Sequence, residues 1–391
     1  MSRSSSSRKN LFLMCTCATL LAATLVTWPA TQSASSYDKG VRGGGGGSGW
    51  TVLAPVSYKN LTLYPVRGRD LAGGGDYITL DEGIKNGTVI ITEKGGEMAR
   101  RRVMRRGSNR AIQQQVSMDS GGDASVNELA LVNRSGKKLL LLAGEVIVGG
   151  KQDRIVEEDR IVPPVSVPIS LSVFCVEHGR WSHRTTAASS GGSAGRSAGH
   201  PVAAPIRAEN FSSLGAISHP KLRGAAQDKK EQGAVWEEVK SNNAKLGTDN
   251  NTDTYKEVYA NKKVSTQVDD YLKALEKEVL QAGVVGVIVA RGGELVWADC
   301  FASSTLFAKY WPKLLKSYVV DAMSEQASDK RPTVEQARGY LSNFPVVKTA
   351  TVGQPGVFSL SKIADSQTAV FRLEDISLPT PLLVHFNKMQ R

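Results

Sequence analysis

Between Trp50 and Trp181 every apolar run is cut short by glycine, proline, asparagine or a polar cluster. This punctuation constrains the fold more than any other feature. "WTVLAPV", "LTLYPV", "TVIITEK", "VNELALVN", "KKLLLLAG" and "EVIVGG" are too short for an amphipathic helix and rich in β-branched residues. Such runs read as strands, and short connections between them call for antiparallel pairing. "DYITLDEGIKNG" is the exception, a short helix or turn ended by Gly87. Pro163, Pro164 and Pro168 place the start of "VSVPISLSVFCVE" at an edge or a bulge. The expected product is a sandwich or a barrel-like sheet. With 41% hydrophobic and 22% charged residues, the chain can bury a core and is not generally disordered.

The second half alternates its periods. "KKEQGAVWEEVKSNNAKLG" reads as a helix closed by Gly247. In "VSTQVDDYLKALEKEVLQAG" Val268, Leu272, Leu275 and Val279 share one helical face, with Ser265 as candidate N-cap. "VVGVIVARGGELVWADCF" is a hairpin, "SSTLFAKYWPKLLKSYVVDAM" a helix kinked or started at Pro312, and "TVEQARGYL" a short helix. Four strand-like runs close the chain. The expected class is therefore α+β, an antiparallel β-rich first half followed by a mixed helix and sheet second half. The expected layout is a signal peptide over 1–35, a glycine-rich linker over 36–49 and a β-rich domain over 50–184 with an arginine-rich insertion at 98–124. A low-complexity linker or inserted loop then fills 185–230, and an α+β part follows over 231–391, either separate from the first or packed with it as one unit.

Arg3, Arg8 and Lys9 precede the apolar run Leu11–Val26, and small residues follow it. That order is the order of a secretory signal, with cleavage after Ser33 or Ser35. The protein is expected in the periplasm or outside the cell, and the membrane enters only if the segment stays as an anchor. Cleavage takes three from the formal net charge of +12. Six of the remaining arginines crowd "ARRRVMRRGSNR". That run reads first as a solvated loop and second as a polyanion contact. No aromatic interleaves it, so bases have no stacking platform and nucleic acid is disfavoured. Cys175 and Cys300 outlast the signal; whether they pair is open. Their spacing supports no Cys/His metal site, and no cofactor is expected.

"LLLLAGEVIVGGKQDRIVEEDRIV", Leu139 to Val162, carries the most chemistry. Lys151, Gln152 and Arg154 stand beside Gly149-Gly150, where exposed backbone N–H groups and two cations suit an anionic group. Glu145 and Glu177 are candidate acid/base residues. Arg180 and Trp181 follow Glu177 closely; the first would hold charge and the second would stack on a ring or sugar face. The plainer alternative is a hairpin made of the two "DRIV" runs, with Asp and Arg paired on its outer face.

"LTLYPV", "YITLDEGI", "LLLAGEVIVGGKQDRIV", "VFCVEHGRW" and the stretch Gly283–Ala322 occur in this order. Together they resemble the bacterial ARG and Rhodanese-Phosphatase-superfamily-associated proteins, from about Asn60 to Ala322. The resemblance covers Gly144-Glu145, then Lys151, Gln152 and Arg154, then Cys175, Glu177, Arg180 and Trp181. It implies association with ADP-ribosyl-glycohydrolase-like and rhodanese-phosphatase-like proteins, and so nucleotide or ADP-ribose chemistry. Met98–Ala124 and much of "RTTAASSGGSAGRSAGHPVAAP" stand outside the family pattern. The expected function is binding of a small anionic molecule at these residues. A hydrolase using Glu145 or Glu177 as general base is the first alternative. A structural or envelope-interaction protein, with apolar surface on the Tyr310–Val320 helix, is the second.

Overall fold

The computed structural model describes residues 49–94, 127–178, 211–326, 328–345 and 348–391. The signal-like segment, the arginine-rich stretch, Arg180 and Trp181 lie outside the described residues. The fold is α+β, with three sheets among the described residues and helices covering them. The largest sheet has nine strands, and it does not respect the halves of the sequence. Leu61–Arg67, from the β-rich first half, pairs along the edge of Val284–Arg291, with Ile288 opposite Tyr64. Beyond it follow Glu294–Phe301, Leu382–Gln390, Thr368–Asp375, Phe358–Ala364 and Lys348–Gln354. The expected hairpin at Arg291-Gly292-Gly293-Glu294 is present. Its two glycines have φ of 59° and 90°, the backbone that a tight two-residue turn between twisted strands requires.

The six-stranded sheet carries the motif region. Its order is Ser212–Ile217, Glu145–Val148, Arg154–Val156, Val165–Cys175, Glu128–Asn133 and Val89–Glu93. The register slips between Val165 and Ile169, around Pro168, which is the bulge the prolines call for. Arg160–Val162, Lys138–Leu141 and Tyr77–Ile78 form a third, small sheet. The two "DRIV" runs therefore do not make a hairpin. Arg154–Val156 lies between Glu145–Val148 and Val165–Cys175, whereas Arg160–Val162 pairs with Lys138–Leu141. Both runs are wanted in interior sheets because Ile155, Val156, Ile161 and Val162 are all wholly buried.

Two further expectations need correction. The segment 185–230 is not linker throughout: Ser212–Ile217 is a strand and Pro220–Gly224 a helix, extended by a π-helical turn over Ala225–Lys229. Pro220 at the first turn explains the start, since it needs no N–H there. The helix Lys262–Val279 is capped by Asn261, not Ser265; the Asn261 carboxamide accepts from the Lys263 and Val264 N–H groups. Ser265 stands inside the helix and its hydroxyl turns back to the Lys262 carbonyl.

The helix Ser304–Met323 crosses the centre. It runs through Pro312 and has Tyr310, Trp311, Leu314, Leu315, Tyr318 and Val319 wholly buried. At about 1.5–3 kcal/mol per large apolar side chain removed from water, it is a main contributor to the core. No apolar face is left in solvent between Tyr310 and Val320, so the feature that would favour an interaction protein is absent there. One continuous apolar cluster joins this helix to Leu61, Leu63, Leu140, Val146 and Ile155 of the first half.

Candidate functional site

The turn at Leu142–Glu145 starts the strand Glu145–Val148, and its amide groups end on carboxylates. The Leu142 N–H donates to Glu145 Oε2 at 2.9 Å, and the Ala143 N–H to Asp159 Oδ1 at 2.8 Å. Glu145 Oε1 is in direct contact with the Lys313 ammonium, which also reaches Asp81 Oδ2 at 2.7 Å. The Ser213 hydroxyl donates to the other Asp81 oxygen. Burial pushes the Glu145 carboxyl above its ordinary range, against the pull of Lys313. Burial opposes the charge on Lys313 too, but Glu145 and Asp81 outweigh it and hold the ammonium protonated.

From Asp159 a second group begins. His385 Nδ1 lies 2.6 Å from Asp159 Oδ2, and its Nε2 lies 3.1 Å from Asp299 Oδ1. Arg223 donates to both Asp299 oxygens, at 2.9 and 3.2 Å. Trp297 Nε1 and the Tyr318 hydroxyl also donate to Asp299. Asp159, Arg223, Asp299 and His385 are all 0% exposed, and with His385 protonated their charges cancel. Burial alone would lower the His385 pKa; the two carboxylates win and hold it at about 9. Burial would likewise raise Asp299, yet Arg223 and His385 hold it well below the carboxylate range. A histidine charged at neutral pH, with both ring nitrogens engaged, has no free lone pair to take a proton. This group holds the interior together and is not a general base.

Gly144 fits between the two groups for a steric reason. Its φ is +82°, and a Cβ there would lie 2.4 Å from Ser218 Oγ and 2.6 Å from Arg223 Cγ. The absence of a side chain lets Arg223 pass to Asp299.

The third group is the turn after Val148. Gly149 and Gly150 have φ of 115° and 58°. The Gly149 N–H donates to Asp153 Oδ1 at 3.1 Å and the Lys151 N–H to Glu93 Oε1 at 2.9 Å. The Thr254 hydroxyl donates to the second Asp153 oxygen at 3.2 Å. Gln152 Nε2 donates to the Glu177 carbonyl at 2.9 Å, and Glu177 Oε2 accepts from the Asp153 N–H at 3.2 Å. The wholly buried Arg154 side chain turns to the Asp153 carbonyl, 3.4 Å from Nη1. Next to this turn Gln232 clasps the backbone of Cys175, accepting from its N–H at 2.9 Å and donating to its carbonyl at 2.8 Å. Burial raises the Cys175 thiol, and both Cys175 and Cys300 are free and buried.

The structure thus brings Lys151, Gln152, Arg154 and Glu177 to one turn. Glu145 belongs to the Lys313 group, four residues and about 13 Å back along the strand at ~3.3 Å per residue. A small recess lined by Trp50, Arg69, Leu71, Cys300, Phe301 and Leu383 contains none of these residues. Sequence reasoning missed Asp81, Asp159, Arg223, Asp299, Lys313 and His385. A signal existed for two of them: Asp299 interrupts the apolar run "LVWADCF" and His385 interrupts "LLVHF". A charge in a run that must be buried needs a partner.

These features define an α+β protein whose glycine-broken motif ties a six-stranded sheet to a charged interior. The chain matches the ARG and Rhodanese-Phosphatase-superfamily-associated Protein domain over residues 49–369, and it belongs to that family. No curated protein and no solved structure matches it. Among the described residues no helix is long and apolar enough to cross a membrane.

Proposed function

We propose that the protein is exported and binds a small anionic ligand, such as a nucleotide, an ADP-ribose-like molecule or a sugar phosphate, at the Gly149–Asp153 turn. The observation that carries this reading is that the turn already seats anionic oxygens. Two successive glycines with positive φ aim the Gly149 and Lys151 N–H groups at carboxylates of Asp153 and Glu93. Such a concave run of donors suits phosphate or carboxylate. Lys151 adds positive charge at its edge, and Gln152, Arg154 and Glu177 brace it from beneath. Arg180 and Trp181 follow Glu177 by three and four positions, and we assign them to holding the charge and stacking on a ring. The family's association with ADP-ribosyl-glycohydrolase-like proteins points the same way.

The test is a thermal-shift screen of the mature protein against nucleotides, ADP-ribose, sugar phosphates and acidic glycans, because a ligand of the native state raises its melting temperature. At least one is expected to raise it, and Lys151→Glu to abolish the rise. No shift by any of them overturns the reading. Export is checked by the N-terminal mass of the secreted chain, expected to begin at Ala34 or Ser36.

One observation favours a second reading. Burial raises the Glu145 carboxyl, the direction a general base needs, but at 1% exposure and in contact with Lys313 it would have to be uncovered to meet a substrate; Glu177 is the other candidate. If Glu145→Gln and Glu177→Gln both leave turnover unaltered on a substrate that the wild type processes, this reading falls.

A further inference from the structure

We infer that Glu93 is a built-in occupant of the anion seat at the Gly149–Asp153 turn, which an external oxyanion must displace. The inference rests on the ligand reading above and adds a mode of regulation to it.

The two carboxylates at the turn are held differently. Asp153 belongs to the turn itself, is 5% exposed, and is fixed from two sides by the Gly149 N–H and the Thr254 hydroxyl. Glu93 comes from outside. It is the last residue of Val89–Glu93, at the end of the strand order in the six-stranded sheet, whose partner there among the described residues is Glu128–Asn133. Its half-buried, longer side chain reaches across to the Lys151 N–H at 2.9 Å. The backbone is shaped for this visitor. A Cβ on Gly150 would lie 2.7 Å from Glu93 Oε1 and 2.2 Å from Phe211 Cζ, so only glycine admits the carboxylate. The adjacent Lys94 turns away to Glu128.

An oxygen that sits on a backbone donor by way of a long side chain at a sheet edge is a competitor for any free oxyanion. Carboxylate and phosphate both present an oxygen to which the Lys151 N–H can donate. While Glu93 is seated, the apparent affinity of such a ligand is reduced by the fraction of time the seat is empty. Any change that withdraws the Val89–Glu93 edge would therefore raise affinity without touching the turn.

Inorganic phosphate is the direct probe, with chloride at equal ionic strength as control. Melting temperatures of the full mature chain are measured across a phosphate series for wild type, Glu93→Gln and Glu93→Ala. Gln keeps the shape of the side chain and Ala empties the seat. Glu93→Ala is expected to respond to about tenfold less phosphate than the wild type, and Glu93→Gln, whose neutral oxygen can still accept from the Lys151 N–H, to fall between them. Equal responses in all three, or none in any, overturn the inference. The ligand reading is judged separately. If a nucleotide or ADP-ribose binds wild type and variants equally, that reading stands and the role of Glu93 falls. If the variants respond to phosphate while no ligand of the screen shifts any of the three proteins, the seat stands and the ligand reading falls.

Discussion

The interior around Asp299 and the turn at Gly149–Asp153 use the same groups and treat them differently. In the interior, Asp159, His385, Asp299 and Arg223 are wholly dry, and each charge meets an opposite one. At the turn, carboxylates meet backbone N–H groups, and Lys151 and Glu93 keep partial access to water. Removing one partner from a dry pair leaves an uncompensated charge in low dielectric. Removing one at the rim lets water replace it. The interior charges therefore serve as architecture, whereas the rim stays open to water.

Arg223→Met tests the contrast most severely. It leaves Asp299 with one cation in a dry site, and the expected loss is about 3–5 kcal/mol, read from the urea midpoint. A loss as small as a surface change would mean that water enters this interior. The pH profile follows next. His385 has a folded pKa of about 9, above the ordinary value of 6.5. A raised histidine pKa stabilises fully below the unfolded value, and that stabilisation drains away as pH rises from 6.5 through about 9. The decline is on the order of 3 kcal/mol, and His385→Gln should flatten it in urea titrations across that window. Smaller again, Gly144→Ala should cost about 1–3 kcal/mol, because its Cβ would overlap Ser218 and Arg223. The least effect belongs to the rim: Lys151→Glu should change stability by under about 0.5 kcal/mol while abolishing the ligand-induced rise in melting temperature. A large stability loss there would erase the distinction between the two regions.

Several elements are legible in the sequence alone. The glycine pair at Gly292-Gly293 announced its hairpin, Gly247 its helix end, and Pro168 its bulge, because each acts through the backbone of its own neighbourhood. Ser265 was misread because the competing cap, Asn261, stood before the first apolar residue of the pattern. The "DRIV" repeat misled for a different reason. Two similar runs a few residues apart look like a hairpin, but their Ile and Val residues are claimed by two different sheets. The candidate site was half legible. Glycines beside Lys151 marked the turn, and alternation put Cys175 and Glu177 on one face. Nothing local paired Glu145 with Lys313, 168 positions away.

By itself the sequence determined the α+β class, the strand and helix periods, the turns and the family, since hydrophobic spacing and glycine or proline geometry act over a few residues. The tertiary structure alone decided which charges are buried as architecture and which stay at the rim. That depends on burial and on partners far apart in the chain: Arg223 and Asp299 come from a helix and a strand with the Lys262–Val279 helix between them in sequence, and a charge carries no sign of its eventual dielectric until the fold closes around it.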